Sequence, residues 1–334
     1  MPETNERGTG LREMADLTVP MALRAAATLR IADHIHRGVR TADELAAATG
    51  TRAPELDRLL RHLVTAGVLD RDGAGAYALT TRGHELRDDD PRGVRARLDI
   101  EGMVGRAELS FVEILHTMRT GGLAYTRHYG RPFWDDLAAD PALYASFEHV
   151  MSFNLRQGAP AILAARDWAS LAHVVDVGGG DGTLLITLLT EHPGLRGTLV
   201  ELAGPAAAAR EAATAAGLAE RIQVVVASFF DPLPAGAGGY LLSDILHNWD
   251  DDRAVAILRR CADAAGPDGS VFVIERLGED GYSPSTEMDM RMLAYFGGRQ
   301  RGLGELAGLA ARAGLKAAAV HPTADVSVVE MTAG

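Results

Sequence analysis

Cysteine occurs once, at Cys261, and lysine once, at Lys316, in a chain of 334 residues. A single thiol excludes an intrachain disulfide, and a reducing cytoplasm is the expected location. Cys261 falls in AVAILRRCADAAG, whose apolar residues recur at helical spacing, so an inert core thiol is expected. No apolar run approaches the roughly 18 residues of a membrane span. The first ten residues, MPETNERGTG, lack the apolar core of a secretory signal, so no membrane partner is expected. Basic charge is also short. Thirty-three Lys and Arg against 45 Asp and Glu leave a net charge of −12, which argues against nucleic acid as a main partner. The length suits two domains, drawn here as 1–166 and 167–334.

The most informative stretch is 173–201, HVVDVGGGDGTLLITLLTEHPGLRGTLVE. An apolar run ending at Asp176 and Val177 reads as a buried parallel strand. Three glycines, Asp181 and Gly182 follow, then an apolar-periodic helix stopped by His192-Pro193-Gly194. A second strand ends at Glu201. Strand, glycine turn, helix, strand and acid open a nucleotide-binding doubly wound sheet. A dinucleotide fingerprint needs glycines at the first, third and sixth positions. Here they stand at the first, third and fifth: Gly178, Gly180 and Gly182.

Before this stretch, residues 11–36 read as one apolar-periodic helix broken or kinked at Pro20. Thr41 and Glu44 form a capping box for TADELAAATG, which Gly50 closes. A helix over 54–66 and a hairpin around Asp72-Gly73 complete a winged-helix-like pattern. DNA binding is disfavoured: residues 1–90 hold 12 arginines against 15 acids, a net −3. The candidate recognition helix PELDRLLRHLVTA also lacks aromatic or amide base readers. Packing or dimerisation is the better reading. Residues 91–166 read as mostly helical, and Phe133, Trp134, Phe147, Met151 and Phe153 are candidates to line a flat pocket.

After Glu201, strands are expected over 221–227, 239–243 and 270–275, alternating with helices, and a strand pair over 316–331 closes the chain. This predicts an α/β fold with a parallel sheet and an antiparallel hairpin at its edge. Ligands of such sheets bind beyond the carboxyl ends of the strands. The residues there include Asp176, Gly178, Gly180, Glu201, Ser228, Phe229, His247, Trp249 and Glu275. His247, just past the fourth strand, stands where a reacting group belongs.

Together, VVDVGGG at 174–180, SFFDPLP at 228–234, ILHNWDDD at 245–252 and FGGRQR at 296–301 resemble the small-molecule O-methyltransferases that use S-adenosylmethionine (SAM). The likeness covers nearly the whole chain, including LRHLVTAGVL and YALT of an N-terminal dimerisation domain. It implies a Rossmann-like SAM domain, a winged-helix-like dimerisation domain, SAM as cofactor, no metal, and a homodimer. His247 matches the catalytic base and Glu275 its helper acid. Asp176, Gly178, Gly180, Glu201, Ser228, Phe229, Ser243 and Trp249 match cofactor positions. Arg12, Phe147, Met151, Met292 and Phe296 are the implied acceptor contacts. Three departures stand out: Gln300 replaces a second helper acid, Ala227-Ser228 replaces a Gly-Asp adenine motif, and Glu201 replaces Asp.

The implied reaction is removal of a proton from an aryl hydroxyl by His247 as the oxygen takes the methyl group. An ordinary phenol and an ordinary imidazole differ by about 3.5 pKa units, about 5 kcal/mol, so concerted transfer is favoured over prior ionisation. The implied acceptor is a hydroxylated naphthoic or benzoic acid or a polyketide. Arg12, Arg291 and Arg299 are candidates for its carboxylate, and Arg12 is preferred. The alternatives are a SAM-fold enzyme that does not methylate, or a ligand-responsive winged-helix regulator. Asp250, Asp251 and Asp252 are expected to serve a helix N-terminus, not a magnesium ion.

Overall fold

The computed structural model describes residues 10–281, 283 and 285–334. The expectation concerning a secretory signal falls mostly on 1–9, outside the described residues. The chain packs as two compact units, Met1–Leu109 and Ser110–Gly334. The helices between 110 and 166 therefore fall in the same unit as the sheet that follows them, whereas the boundary drawn from the sequence falls after 166.

In the first unit the single helix expected over 11–36 is three: Leu11–Met14, Thr18–Thr28 and Ile31–His36. Pro20 is not the break. It lies in the first turn of the second helix, where its missing N–H has no intrahelical partner to lose. One break falls at Arg30, held at φ +53°. Thr41 Oγ1 accepts from the N–H of Glu44 at 3.3 Å, and the Glu44 carboxylate accepts from the N–H of Thr41 at 3.0 Å. This capping box opens helix Ala42–Thr49. Helix Ala53–Thr65 buries Leu56, Leu60 and Leu63 on one stripe. The hairpin follows as β1 (Leu69–Arg71) and β2 (Tyr77–Leu79), antiparallel with Leu69 opposite Leu79. These elements share a core with Ala27, Ile31 and Leu45.

The second unit is built on β3 (His173–Val177), β4 (Arg196–Glu201), β5 (Ile222–Val226), β6 (Gly239–Ser243), β7 (Ser270–Glu275), β8 (Leu315–Pro322) and β9 (Ser327–Ala333). They form one sheet in the order β5-β4-β3-β6-β7-β9-β8. The first five are parallel, and β9 and β8 close it as the expected antiparallel hairpin. Alternate residues face opposite layers. Val175, Val177, Tyr240, Leu242, Val271 and Val273 pack with helices Asp251–Ala265 and Leu303–Arg312. Val174, Leu241, Phe272 and Ile274 pack with helices Thr183–Glu191 and Ala203–Ala215. Cys261 is fully buried in the first layer, as expected. Connections from β3 and β6 run to opposite sides of the sheet, so a crevice opens at their carboxyl ends.

Candidate active site

The turn over 178–182 and the loop over 244–250 leave β3 and β6 side by side at that crevice. Gly178 and Gly180 have φ of +75° and +59°, values that disfavour any side chain. A Cβ on Gly178 would stand 2.8 Å from Ile245 and 3.3 Å from Phe229; one on Gly180 would stand 2.6 Å from the Glu148 carboxylate. Gly178 thus lets the β3 turn lie against the β6 loop, and Gly180 lets it lie against Glu148.

Four carboxylates surround this turn. Asp176 is 1% exposed, and neither of its oxygens has a hydrogen-bond partner. Glu201 accepts from the N–H of Gly180 at 3.2 Å and of Leu202 at 2.7 Å. Glu148, on helix Pro141–Ala164, accepts from the N–H of Asp181 at 3.0 Å and from the Tyr144 hydroxyl at 2.7 Å. The Ser152 hydroxyl lies between Glu148 and Asp181, 3.2 and 2.6 Å away. Burial, reinforced by Glu201 and Asp181, pushes the Asp176 carboxyl up to about 7. Burial also lifts Glu201 to about 7, against its two amide donors, and raises Glu148. Among the described residues no arginine, lysine or histidine pairs with any of the four. Such a cluster is electrostatically unfinished and favours a cationic ligand.

His247 is half-buried on the short turn Leu246–Asn248. Glu275, 2% exposed at the end of β7, accepts from the main-chain N–H of His247 at 3.0 Å. No hydrogen bond joins Glu275 to the imidazole; the carboxylate meets the main chain that carries the ring instead. Burial pushes the Glu275 carboxyl up; charge on His247 opposes this and Asp244 adds to it. Gln300 is 6% exposed, with its side-chain oxygen unpartnered and its N–H donated to Asp289 at 2.7 Å. The acidic run has the work expected of a helix start. Asp250 accepts from the N–H of Arg253 at 2.8 Å, Asp251 pairs with Arg299 and Arg301, and Asp252 pairs with Arg312.

Aromatic rings crowd the same unit. Trp134 stacks on Phe296 at 5.1 Å and Trp249 at 6.2 Å, with Phe147 edge-on at 6.0 Å. Phe229 and Phe230 meet Trp249 edge-on at 5.8 and 5.2 Å. Phe133 is buried among them and contacts Phe296 at 4.6 Å. Ser228 follows β5 and its Oγ accepts from the N–H of Phe230 at 3.2 Å; Ser243 ends β6. Met151 is half-buried and Met292 buried on helices Pro141–Ala164 and Thr286–Tyr295. Of the candidate arginines, Arg299 is held by Glu305 at 2.6 Å and Arg291 by Glu287 at 2.7 Å. Arg12 lies in the first unit on the exposed helix Leu11–Met14.

Sequence reasoning missed Glu148 and Arg301. Tyr144, Glu148 and Ser152 recur every four residues, which places three polar groups on one helix face, and that signal was available. Arg301 sits in the quoted FGGRQR run, but no local pattern announces its burial.

Residues 111–316 match the O-methyltransferase domain family, and residues 12–87 match the O-methyltransferase dimerisation domain. The chain is 58% identical over 324 residues to a 2,7-dihydroxy-5-methyl-1-naphthoate 7-O-methyltransferase of Streptomyces carzinostaticus, with 97% of each chain covered. It is 44% identical to an aclacinomycin 10-hydroxylase of Streptomyces purpurascens, covering 97% of this chain and 90% of that one. An O-methyltransferase from neocarzinostatin biosynthesis, crystallised with SAM and 2-hydroxy-5-methyl naphthoic acid, matches with a TM-score of 0.94. That pair is 57% identical over 98% of this chain and 100% of the other. The sheet that opens beside an unbalanced negative cluster and the match along the whole chain agree: this protein belongs to the SAM-dependent O-methyltransferase family.

Proposed function

We propose that the protein methylates a hydroxyl of a hydroxylated naphthoic or benzoic acid, or of a related aromatic polyketide, during natural-product biosynthesis. The observation that carries the cofactor reading is the buried, unpartnered Asp176 within four carboxylates that lack a cation. SAM, when bound, supplies an electrophilic methyl on a positive sulfonium. Its positive charge complements Asp176, Asp181, Glu148 and Glu201, and Glu201 has lone pairs left for ribose hydroxyls. Gly178 and Gly180 allow close backbone approach, Ser228, Phe229 and Trp249 suit the adenosine, and Ser243 suits the methionyl end.

His247 accepts the acceptor's hydroxyl proton on an imidazole nitrogen. Glu275 holds the His247 amide and stabilises the imidazolium through its field instead of by direct contact. Phe147, Met151, Met292 and Phe296 provide apolar walls for an aromatic ring. Arg12 is proposed to meet the acceptor carboxylate, a role checked by a KM rise confined to carboxylated acceptors in Arg12→Ala. In this reading residues 1–166 serve dimerisation and acceptor capping and lend Glu148 to the carboxylate cluster, and residues 167–334 supply the rest of the SAM site. Two exposed apolar sets support a homodimer: Leu11, Met14 and Leu17, and Val112, Leu115 and Met118. The acidic charge disfavours nucleic acid, no helix among the described residues is long and apolar enough to cross a membrane, and the cytoplasm is the proposed location.

The test is incubation with SAM and 2-hydroxynaphthoic acids. The expected products are S-adenosylhomocysteine and an acceptor heavier by one methylene. A product heavier by one oxygen, formed without S-adenosylhomocysteine, would support the hydroxylase-like reading favoured by the 44% identical relative.

A further inference from the structure

Arg301 is a charged side chain almost wholly removed from water, at 1% exposure. Four of the five N–H donors of its planar fork are used. Nε and one terminal nitrogen donate to Asp251 Oδ1 at 3.1 and 2.9 Å, at the start of helix Asp251–Ala265. The other terminal nitrogen donates to the carbonyl of Leu246 at 2.9 Å, and a further bond reaches the carbonyl of Trp249 at 2.7 Å. The first belongs to the peptide that enters His247, and the second lies two residues beyond it. The same FGGRQR run presses on the loop a second time: a Cβ on Gly298 would stand 2.1 Å from the His247 carbonyl oxygen and 2.5 Å from the Asn248 carbonyl carbon. From β7, Glu275 fixes the His247 amide at 3.0 Å. The loop also begins at Asp244 with φ +52°, a left-handed conformation that persists only where surrounding contacts over-determine it.

We propose that Arg301 is a positioning residue for His247, its guanidinium fork clamping the loop at the carbonyl just before the base and at that of Trp249, two residues after it, and tying both to the helix that follows. This rests on the reading of His247 as the general base. The planar fork serves two carbonyls and a carboxylate at once, which a lysine ammonium does not do even though it keeps the charge. Arg301 holds the peptide that enters the histidine and the carbonyl two residues beyond it, so its effect falls on turnover and not on SAM affinity.

The experiment is a cycle of His247→Ala, Arg301→Lys and the double variant, each checked for SAM affinity by calorimetry and for folding by thermal melting. Arg301→Lys is expected to lower kcat about 10- to 100-fold, the scale of a base misplaced by about an ångström, with SAM affinity within about threefold. The double variant should turn over no more slowly than His247→Ala, because a displaced base and a missing base fail at the same step. Raising the pH, which ionises the acceptor unaided, should restore Arg301→Lys as it restores His247→Ala. Multiplicative losses, or a slow Arg301→Lys that alkali does not restore, would overturn the proposal. Normal turnover in Arg301→Lys beside a slow His247→Ala would also overturn it and leave the base reading standing. Near-normal turnover in His247→Ala would instead remove the base reading itself. If Arg301→Lys does not fold, Gly298→Ala, which displaces the same loop with Arg301 in place, decides the matter through the same cycle.

Discussion

SAM binding should release protons near neutrality. Asp176 and Glu201 are each pushed up to about 7, so in the empty protein at pH 7 each is about half protonated. A cation entering the cluster favours the ionised forms, lowers both pKa values and expels up to about one proton in total. If binding requires one ionised carboxylate, affinity should rise about 10-fold from pH 6 to pH 8; if both, about 100-fold, levelling above pH 8. Calorimetric titration of SAM in phosphate and in Tris at pH 6.5, 7 and 8 reads the proton count from the difference in heat. The ligand's own amino group titrates near pH 8, so Asp176→Asn is the control and should remove about half of the release at pH 7. The sign also fixes the stability of the empty protein. A carboxyl whose folded pKa is raised contributes stability that is lost as pH rises, here from about 4 through about 7, so melting should occur at lower temperature at pH 8 than at pH 6. No proton release and flat affinity between pH 6 and 8 would refute the account of the cluster.

Glu201→Ala should weaken SAM binding by about 1.5–3 kcal/mol, the scale of charge-assisted hydrogen bonds, and an unchanged affinity would move the ribose contact elsewhere. Glu275→Gln should lower turnover less than loss of His247, since an amide oxygen still accepts the His247 N–H while the negative field is lost; a loss equal to that of His247→Ala would assign Glu275 a larger part. Light scattering at micromolar concentration should give about twice the 35.4 kDa of one chain. A single-chain mass would leave the exposed Leu11, Met14, Leu115 and Met118 without their proposed cover.

The sheet was legible because its signals are local. Val174 to Val177 form a short apolar run, glycines with positive φ follow, and His192-Pro193-Gly194 stops the next helix, so each element announces its own ends. The candidate site was legible wherever a residue sits at the carboxyl end of a strand, as Asp176, Glu201, Ser243 and Glu275 do. Groups supplied by other layers were harder to see. Glu148 reaches the glycine turn from a helix over 30 residues earlier in the chain, and Arg301 reaches the His247 loop from more than 50 residues later. Those contacts depend on tertiary packing, which no window of sequence contains. Arg30 shows the same limit at the backbone level. Nothing in the apolar period of 11–36 signals its left-handed φ, whereas Pro20, the visible breaker, fits quietly in a first turn.

The base assignment is tested most directly by single-turnover methyl transfer in His247→Ala at saturating SAM and acceptor. The rate should fall roughly 10²- to 10⁴-fold, the usual contribution of a positioned base, with SAM affinity unchanged and partial recovery as the pH is raised. Transfer at close to the normal rate per folded active site would contradict the assignment.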